Sequence, residues 1–197
     1  MQSSPPERVY VDTNIWFSYV TEGNFDQQFE KSCRVIDDII RNNNRKAIVS
    51  TLVILEMVNI IRNKIAQRTQ HLTYGDTWKT NYMKQEINKY TKAFMDKITK
   101  WDSTNKCSIT DVSTPVKDLF SETSKIQQKT FGKIGESGTC NICKGPFQSY
   151  FYKGIDHHDI QHALIAKELQ VTELVTFDKG YNYIVDDFRK HYKIRIL

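Results

Sequence analysis

The feature that most restricts this chain is a regular alternation of short, β-branched runs with longer helical stretches. RVYVD leads directly into TNIWFSYV, and KAIVS into TLVILEMVNIIRNKIA. KCSITDV precedes Thr114-Pro115, a helix-opening pair; ELVTF precedes YNYIVDDFRKH; KIRIL closes the chain. Val9 and Val11 suit a pleated, buried surface. Parallel strands need crossovers, and helices supply them, so the alternation predicts a mostly parallel sheet covered on both faces. The expected fold class is α/β, a three-layer α/β/α arrangement around four or five parallel strands. The 197 residues fit a single domain over 8–197.

The finer pattern gives further expectations. Residues 1–7 read as a loose leader, with Pro5-Pro6 blocking regular structure. Thr13 or Asn14 is expected to cap the first helix. Residues 25–42 show helical spacing, with Phe29, Cys33, Ile36 and Ile40 on one face. A helical extension is expected over about 76–102, where Trp78, Tyr82, Ile87, Tyr90, Phe94, Ile98 and Trp101 recur among interleaved lysines. An amphipathic helix with a solvated basic side is the favoured reading there, ahead of an RNA-facing one. Residues 132–158 hold the glycine-rich stretch and a Cys pair and read as an insertion. YNYIVDDFRKH reads as one further helix.

Totals exclude some classes. The apolar fraction of 39% and charged fraction of 26% are far from those of a disordered chain. No apolar run is long enough to span a bilayer, and the start of the chain has no signal-peptide core, so a cytoplasmic protein with no membrane partner is expected. The net charge of +5 is compatible with a nucleic-acid partner and does not demand one.

Four acids stand where the local pattern asks for neutral residues. Asp12 ends the first strand, Glu56 interrupts a strongly apolar helix, Asp159 opens a helix, and Asp178 follows the fourth strand. Ligands of open α/β sheets bind beyond the carboxyl ends of the strands, where these residues fall. Gathering buried carboxylates is costly without cations, and hard ions such as Mg²⁺ or Mn²⁺ take carboxylate oxygens. Two such ions about 4 Å apart can clamp a scissile phosphate and activate a water. Each acid also has a plain structural reading: Asp12 and Asp159 as helix caps, Glu56 paired with an Arg, Asp178 in a turn with Lys179-Gly180. Asp156 competes with Asp159 for the third position, whereas Asp186 and Asp187 read as surface acids.

VYVDTNIW, ILEMVNII and DIQHALIAKELQVTELVTFDKGY together resemble the acidic motifs of PIN-domain nucleases, in order, over about residues 8–197. The resemblance implies metal-binding and catalytic roles for Asp12, Glu56, Asp159 and Asp178. It implies that Thr13, Asn14 and Thr176 act as polar helpers near metal or phosphate. It further implies an Mg²⁺- or Mn²⁺-dependent endoribonuclease acting on RNA, either the toxin of a toxin–antitoxin pair, with an antitoxin partner and a homodimeric state, or an RNA-processing nuclease. The separation of Glu56 from Asp159 is longer than in compact members. A non-catalytic nucleic-acid-binding module and a DNA structure-specific nuclease are the alternatives.

A second pattern involves soft ligands. Cys140 and Cys143 are spaced as a metal-binding pair, and His158 and His162 lie one helical turn apart. Together they resemble a Cys₂His₂ zinc site with a structural role, with His157 as an alternative to His158; the other reading is a free loop dithiol at Cys140 and Cys143, with the histidines serving the active site.

Overall fold

A computed structural model describes residues 5–70, 75–137 and 156–197. Five strands form one all-parallel sheet: β1 (Glu7–Val11), β2 (Arg45–Ser50), β3 (Cys107–Thr110), β4 (Glu173–Thr176) and β5 (Lys193–Ile196), in the order β3-β2-β1-β4-β5. Seven α-helices are described: α1 (Thr13–Val20), α2 (Phe29–Arg41), α3 (Thr51–Thr69), α4 (Asp76–Ser103), α5 (Val116–Ser137), α6 (His157–Glu168) and α7 (Val185–Phe188). The α/β three-layer expectation is met. β1, β2 and β4 are almost entirely buried at their carboxyl ends, as a doubly covered sheet requires.

Because parallel crossovers are right-handed, moving outward from β1 to β3 puts α1–α4 on one face, and returning to β4 and β5 puts α5–α7 on the other. The packing agrees. α1 lies against α2, α3 and α4, while α5 lies against α6 and its Lys129 pairs with Asp187 of α7. The chain therefore leaves β1 in both directions, and the strand order reverses between β1 and β4.

Local chemistry sets several boundaries differently from the expectation. Asp12, not Thr13 or Asn14, caps α1: its backbone is extended and its Oδ1 accepts from Thr13 N at 2.7 Å. On α2 the buried stripe is Ser32, Val35, Ile36 and Ile39, while Phe29, Cys33 and Ile40 are half-buried. The expected helix 181–191 is instead a 3₁₀ turn (Lys179–Tyr183) followed by the four-residue α7. Tyr181, Ile184 and Phe188 are buried at helical spacing, which explains the reading, but Asp178 accepts from Gly180 N at 2.6 Å and tightens the first turn. Of the expected insertion, residues 132–137 continue α5, and 138–155 lie outside the described residues. Asp186 is exposed as expected, but Asp187 is half-buried against Lys129.

Within α4 only Tyr90, Phe94 and Ile98 are buried, all in its second half. Phe94 meets the edge of Trp16 with ring centroids 5.8 Å apart, and Trp101 lies against the same indole. Trp78 and Tyr82, in the first half, stack on each other, and Trp78 is 44% exposed. The basic helix is thus part core, part solvated face. Among the described residues, no helix is long and apolar enough to cross a membrane.

Trp16 and Phe94 are both fully buried, so the α1–α4 contact is core. Phe94→Ala is expected to lower unfolding free energy by about 3–5 kcal/mol, read from urea denaturation in EDTA. A loss below about 1 kcal/mol would show that α4 is peripheral to folding.

Candidate metal centre

The reversal between β1 and β4 opens a crevice at the carboxyl ends of the strands. β1 delivers Asp12 there, and the register Val11↔Val175 sets Thr176 beside it. Asp12 is 3% exposed. Its Oδ2 accepts from Thr176 Oγ1 at 2.5 Å and from Asn14 Nδ2 at 3.1 Å. Thr176 Oγ1 in turn accepts from Asn14 Nδ2 at 3.2 Å and from Asp178 N at 2.9 Å. Asn14 and Thr176 therefore aim a carboxylate that is already committed to the cap of α1.

Glu56 enters from the second turn of α3, whose Val53, Met57 and Ile61 are buried. Its Oε2 accepts from Thr13 Oγ1 at 2.5 Å and bonds His162 Nε2 at 2.6 Å. Ligand atoms of Asp12, Glu56 and His162 all lie within 4.8 Å of one another. The Arg partner considered for Glu56 is replaced by this histidine.

Helix α6 supplies Asp159 and His162, three residues apart and so on one face. Asp156, exposed, is the cap of α6 and accepts from His158 N at 2.5 Å. That leaves Asp159 free to enter the crevice, where burial, Asp12 and Asp178 push its carboxyl up to about 9. Asp178 is exposed, caps the 3₁₀ turn, and stands at the rim. The turn reading of Asp178 is thus correct, and the same residue lies close enough to act on Asp159 electrostatically.

Charge in the crevice is unevenly balanced. Burial raises Asp12, opposed by His162 and the Thr176 hydrogen bond, and the net effect is upward. Burial would also raise Glu56, but the His162 hydrogen bond and charge, with Thr13, outweigh it and the carboxyl is lowered. For His162 burial works downward and is outweighed by the Glu56 hydrogen bond and the Asp12 charge, so the imidazole is raised. Thus one imidazole faces Asp12 and Glu56, and Asp159 and Asp178 add further negative charge beside Asp12. Tyr181 adds a further unfilled demand: it is fully buried, Asp12 and Asp159 both act on it, and its hydroxyl has no partner among the described residues. Clustered hard oxygen donors, excess negative charge and an unsatisfied hydroxyl fit a divalent cation with bound water.

The structure brings Asp12, Glu56 and His162 together, with Thr13, Asn14 and Thr176 bracing the two acids, and sets Asp159 close enough for Asp12 to act on it electrostatically. The zinc pattern fares differently. Cys140 and Cys143 lie outside the described residues. His162 is fully buried with one ring nitrogen on Glu56 and the other on Tyr10, so it belongs to the acidic crevice. His158 is exposed and, with His157 and Asp156, forms a separate surface cluster. The structure supports, for His162, the alternative in which the histidines serve the active site rather than zinc, whereas sequence reasoning missed Tyr10 and Tyr181 as parts of the crevice. No protein-family model and no curated protein matches the chain.

Asp159 has a native pKa of about 9 against an unfolded value of about 3.9. Between those values the native state binds more protons than the unfolded one, so metal-free stability falls as pH rises. Asp159→Asn is expected to flatten that fall between pH 5 and pH 9 in EDTA and to be more stable than wild type at the upper end. Parallel stability–pH curves for the two proteins would refute the placement of Asp159 among the other acids.

Proposed function

We propose that this protein is a divalent-metal-dependent endoribonuclease of the PIN type, hydrolysing RNA phosphodiester bonds at the crevice between β1 and β4. The observation that carries the reading is the cluster at the strand ends: ligand atoms of Asp12, Glu56 and His162 lie within 4.8 Å of one another, and Asp159 and Asp178 lie close enough to add their negative charge to the same crevice. Such an arrangement is unfavourable in the free protein and favourable around Mg²⁺ or Mn²⁺. The order of the acidic motifs, which resembles that of PIN nucleases, supports the same reading and is the ground for preferring RNA to DNA.

Asp12, Glu56 and Asp159 would hold the ion, with Asp178 contributing from the rim. When bound, the ion supplies Lewis-acid polarisation of the phosphate and a water of lowered pKa. The chain's own residues do the positioning. Thr13 N, Asn14 and Thr176 fix Asp12, and Thr13 Oγ1 with His162 fixes Glu56. Asp178 is exposed and Asp159 partly buried, so Asp178 is the more solvent-accessible of the two acids. A toxin held by an antitoxin and an RNA-processing enzyme both fit this chemistry.

The test is cleavage of mixed RNA and DNA substrates with Mg²⁺, Mn²⁺ or EDTA. Wild type should cut RNA only with metal. Asp12→Asn should lower the rate by at least about 100-fold, beyond the about 10–100-fold that loss of an orienting group causes. Cutting of structured DNA alone would make it a DNA nuclease. Binding of total RNA without cleavage would make it a binding module and overturn the enzymatic reading.

A further inference from the structure

Three residues to which the acidic motifs give no role form a buried line that ends on Glu56. Ser50, Tyr10 and His162 are each fully buried. Val53 N donates to Ser50 Oγ at 3.3 Å, Ser50 Oγ lies 2.8 Å from the Tyr10 hydroxyl, and that hydroxyl lies 2.7 Å from His162 Nδ1. The other ring nitrogen, Nε2, is 2.6 Å from Glu56 Oε2.

Hydrogen accounting gives this line a direction. Suppose Ser50 donates to Tyr10, Tyr10 donates to Nδ1, and Nε2–H donates to Glu56. Every hydroxyl hydrogen and the ring N–H then has an acceptor. Reversed, with a proton on Nδ1 and Tyr10 donating to Ser50, the Ser50 hydroxyl hydrogen has no acceptor among the described residues, a costly state at full burial. With Thr13 Oγ1 also donating to it, Oε2 is filled by two donors. Oε1 accepts nothing among the described residues and is the oxygen left for an ion.

We propose that His162, set by Tyr10 and Ser50, is a positioning residue that holds the Glu56 carboxylate for the metal without itself binding the ion. This rests on the metal-binding role proposed above for Glu56. The same strand thereby serves the site twice: Asp12 directly, and Tyr10, two residues earlier, through the histidine. Ser50 ties in the end of β2 and the cap of α3, the helix bearing Glu56. Outer partners of this kind fix side-chain orientation and tautomer, and losing one weakens metal affinity by about 10–100-fold.

Tyr10→Phe removes one hydroxyl and keeps the ring, so it isolates the line from the core. Mn²⁺ titration of the full chain, followed by electron paramagnetic resonance, should show affinity at least about 10-fold weaker than wild type. His162→Gln, whose amide can still donate to Oε2, should retain more affinity than His162→Leu. Urea denaturation in EDTA establishes that each variant is folded. Electron spin-echo spectra of Mn²⁺-loaded wild type should show no directly coordinated nitrogen. A coordinated ¹⁴N signal that disappears on uniform ¹⁵N-histidine labelling would make a histidine a ligand and overturn the proposal. So would wild-type Mn²⁺ affinity in Tyr10→Phe. Failure of wild type to bind Mn²⁺ at all would overturn both this inference and the metal-dependent function, whereas normal binding by wild type and Tyr10→Phe alike would remove this inference alone.

Discussion

The reversal of strand order between β1 and β4 is the constraint from which the rest follows. A parallel sheet wound outward from its middle in both directions leaves one place where neighbouring crossovers lie on opposite faces, and a cleft opens there. Asp12 and Thr176 end the two strands that border that place, and their side chains bond across it. Glu56 arrives from the helix layer on one face and His162 from the other, and the two meet at 2.6 Å over the strand ends. No element carries the centre alone. Its assembly depends on the sheet being closed from both sides.

The opposite edge of the sheet is a useful contrast. Glu173, the first residue of β4, is 7% exposed, so it too is a carboxylate taken from water. There the chain surrounds it with cations of its own: Arg45, Arg195 at 3.0 Å and Lys193 at 3.9 Å. Arg45 also bridges to Glu7 and Asp38. The partners replace the hydration that such an acid loses on burial. At the carboxyl edge the chain gathers more acids and supplies one imidazole. The same sequence thus shows how it neutralises a structural acid, and does not do so where the crevice lies. That asymmetry is what the proposed metal-binding role would explain.

Much of this was legible because an acid in an apolar context is a strong signal. Asp12 after VYV, Glu56 inside ILEMVNII and Asp159 in the first turn of α6 each break a pattern, and the element order puts them at one end of the sheet. Thr13, Asn14 and Thr176 were legible as neighbours of those acids. What escaped were residues that break no pattern. Tyr10 in a strand and Tyr181 at helical spacing look like ordinary core, and their hydroxyls matter only once the third dimension is known. His162 misled by its four-residue spacing from His158, which suggests a shared ligand face. The helix in fact carries one histidine into the crevice and leaves the other in solvent. The stripe on α2 shifted for a similar reason: Ser32 is polar, so apolar periodicity overlooks it, yet it is fully buried.

Placement of the acids against one another has to be maintained by something other than the acids. Asp12 caps α1, so its position follows that helix, and Trp16 lies one turn further along. The indole is fully buried between Phe94 and Trp101 of α4, which fixes the height and rotation of α1 above the sheet. Dense packing of that kind tolerates little displacement. The apolar core therefore holds together carboxylates that repel and that resist losing their hydration. An ion binding only the native state returns part of that cost, about 2.7 kcal/mol when its concentration is 100 times its dissociation constant. Under the proposed metal-binding role, core stability and metal affinity would be linked through α1: the tighter the Trp16 contact, the less of an ion's binding energy would be spent on drawing Asp12 into place.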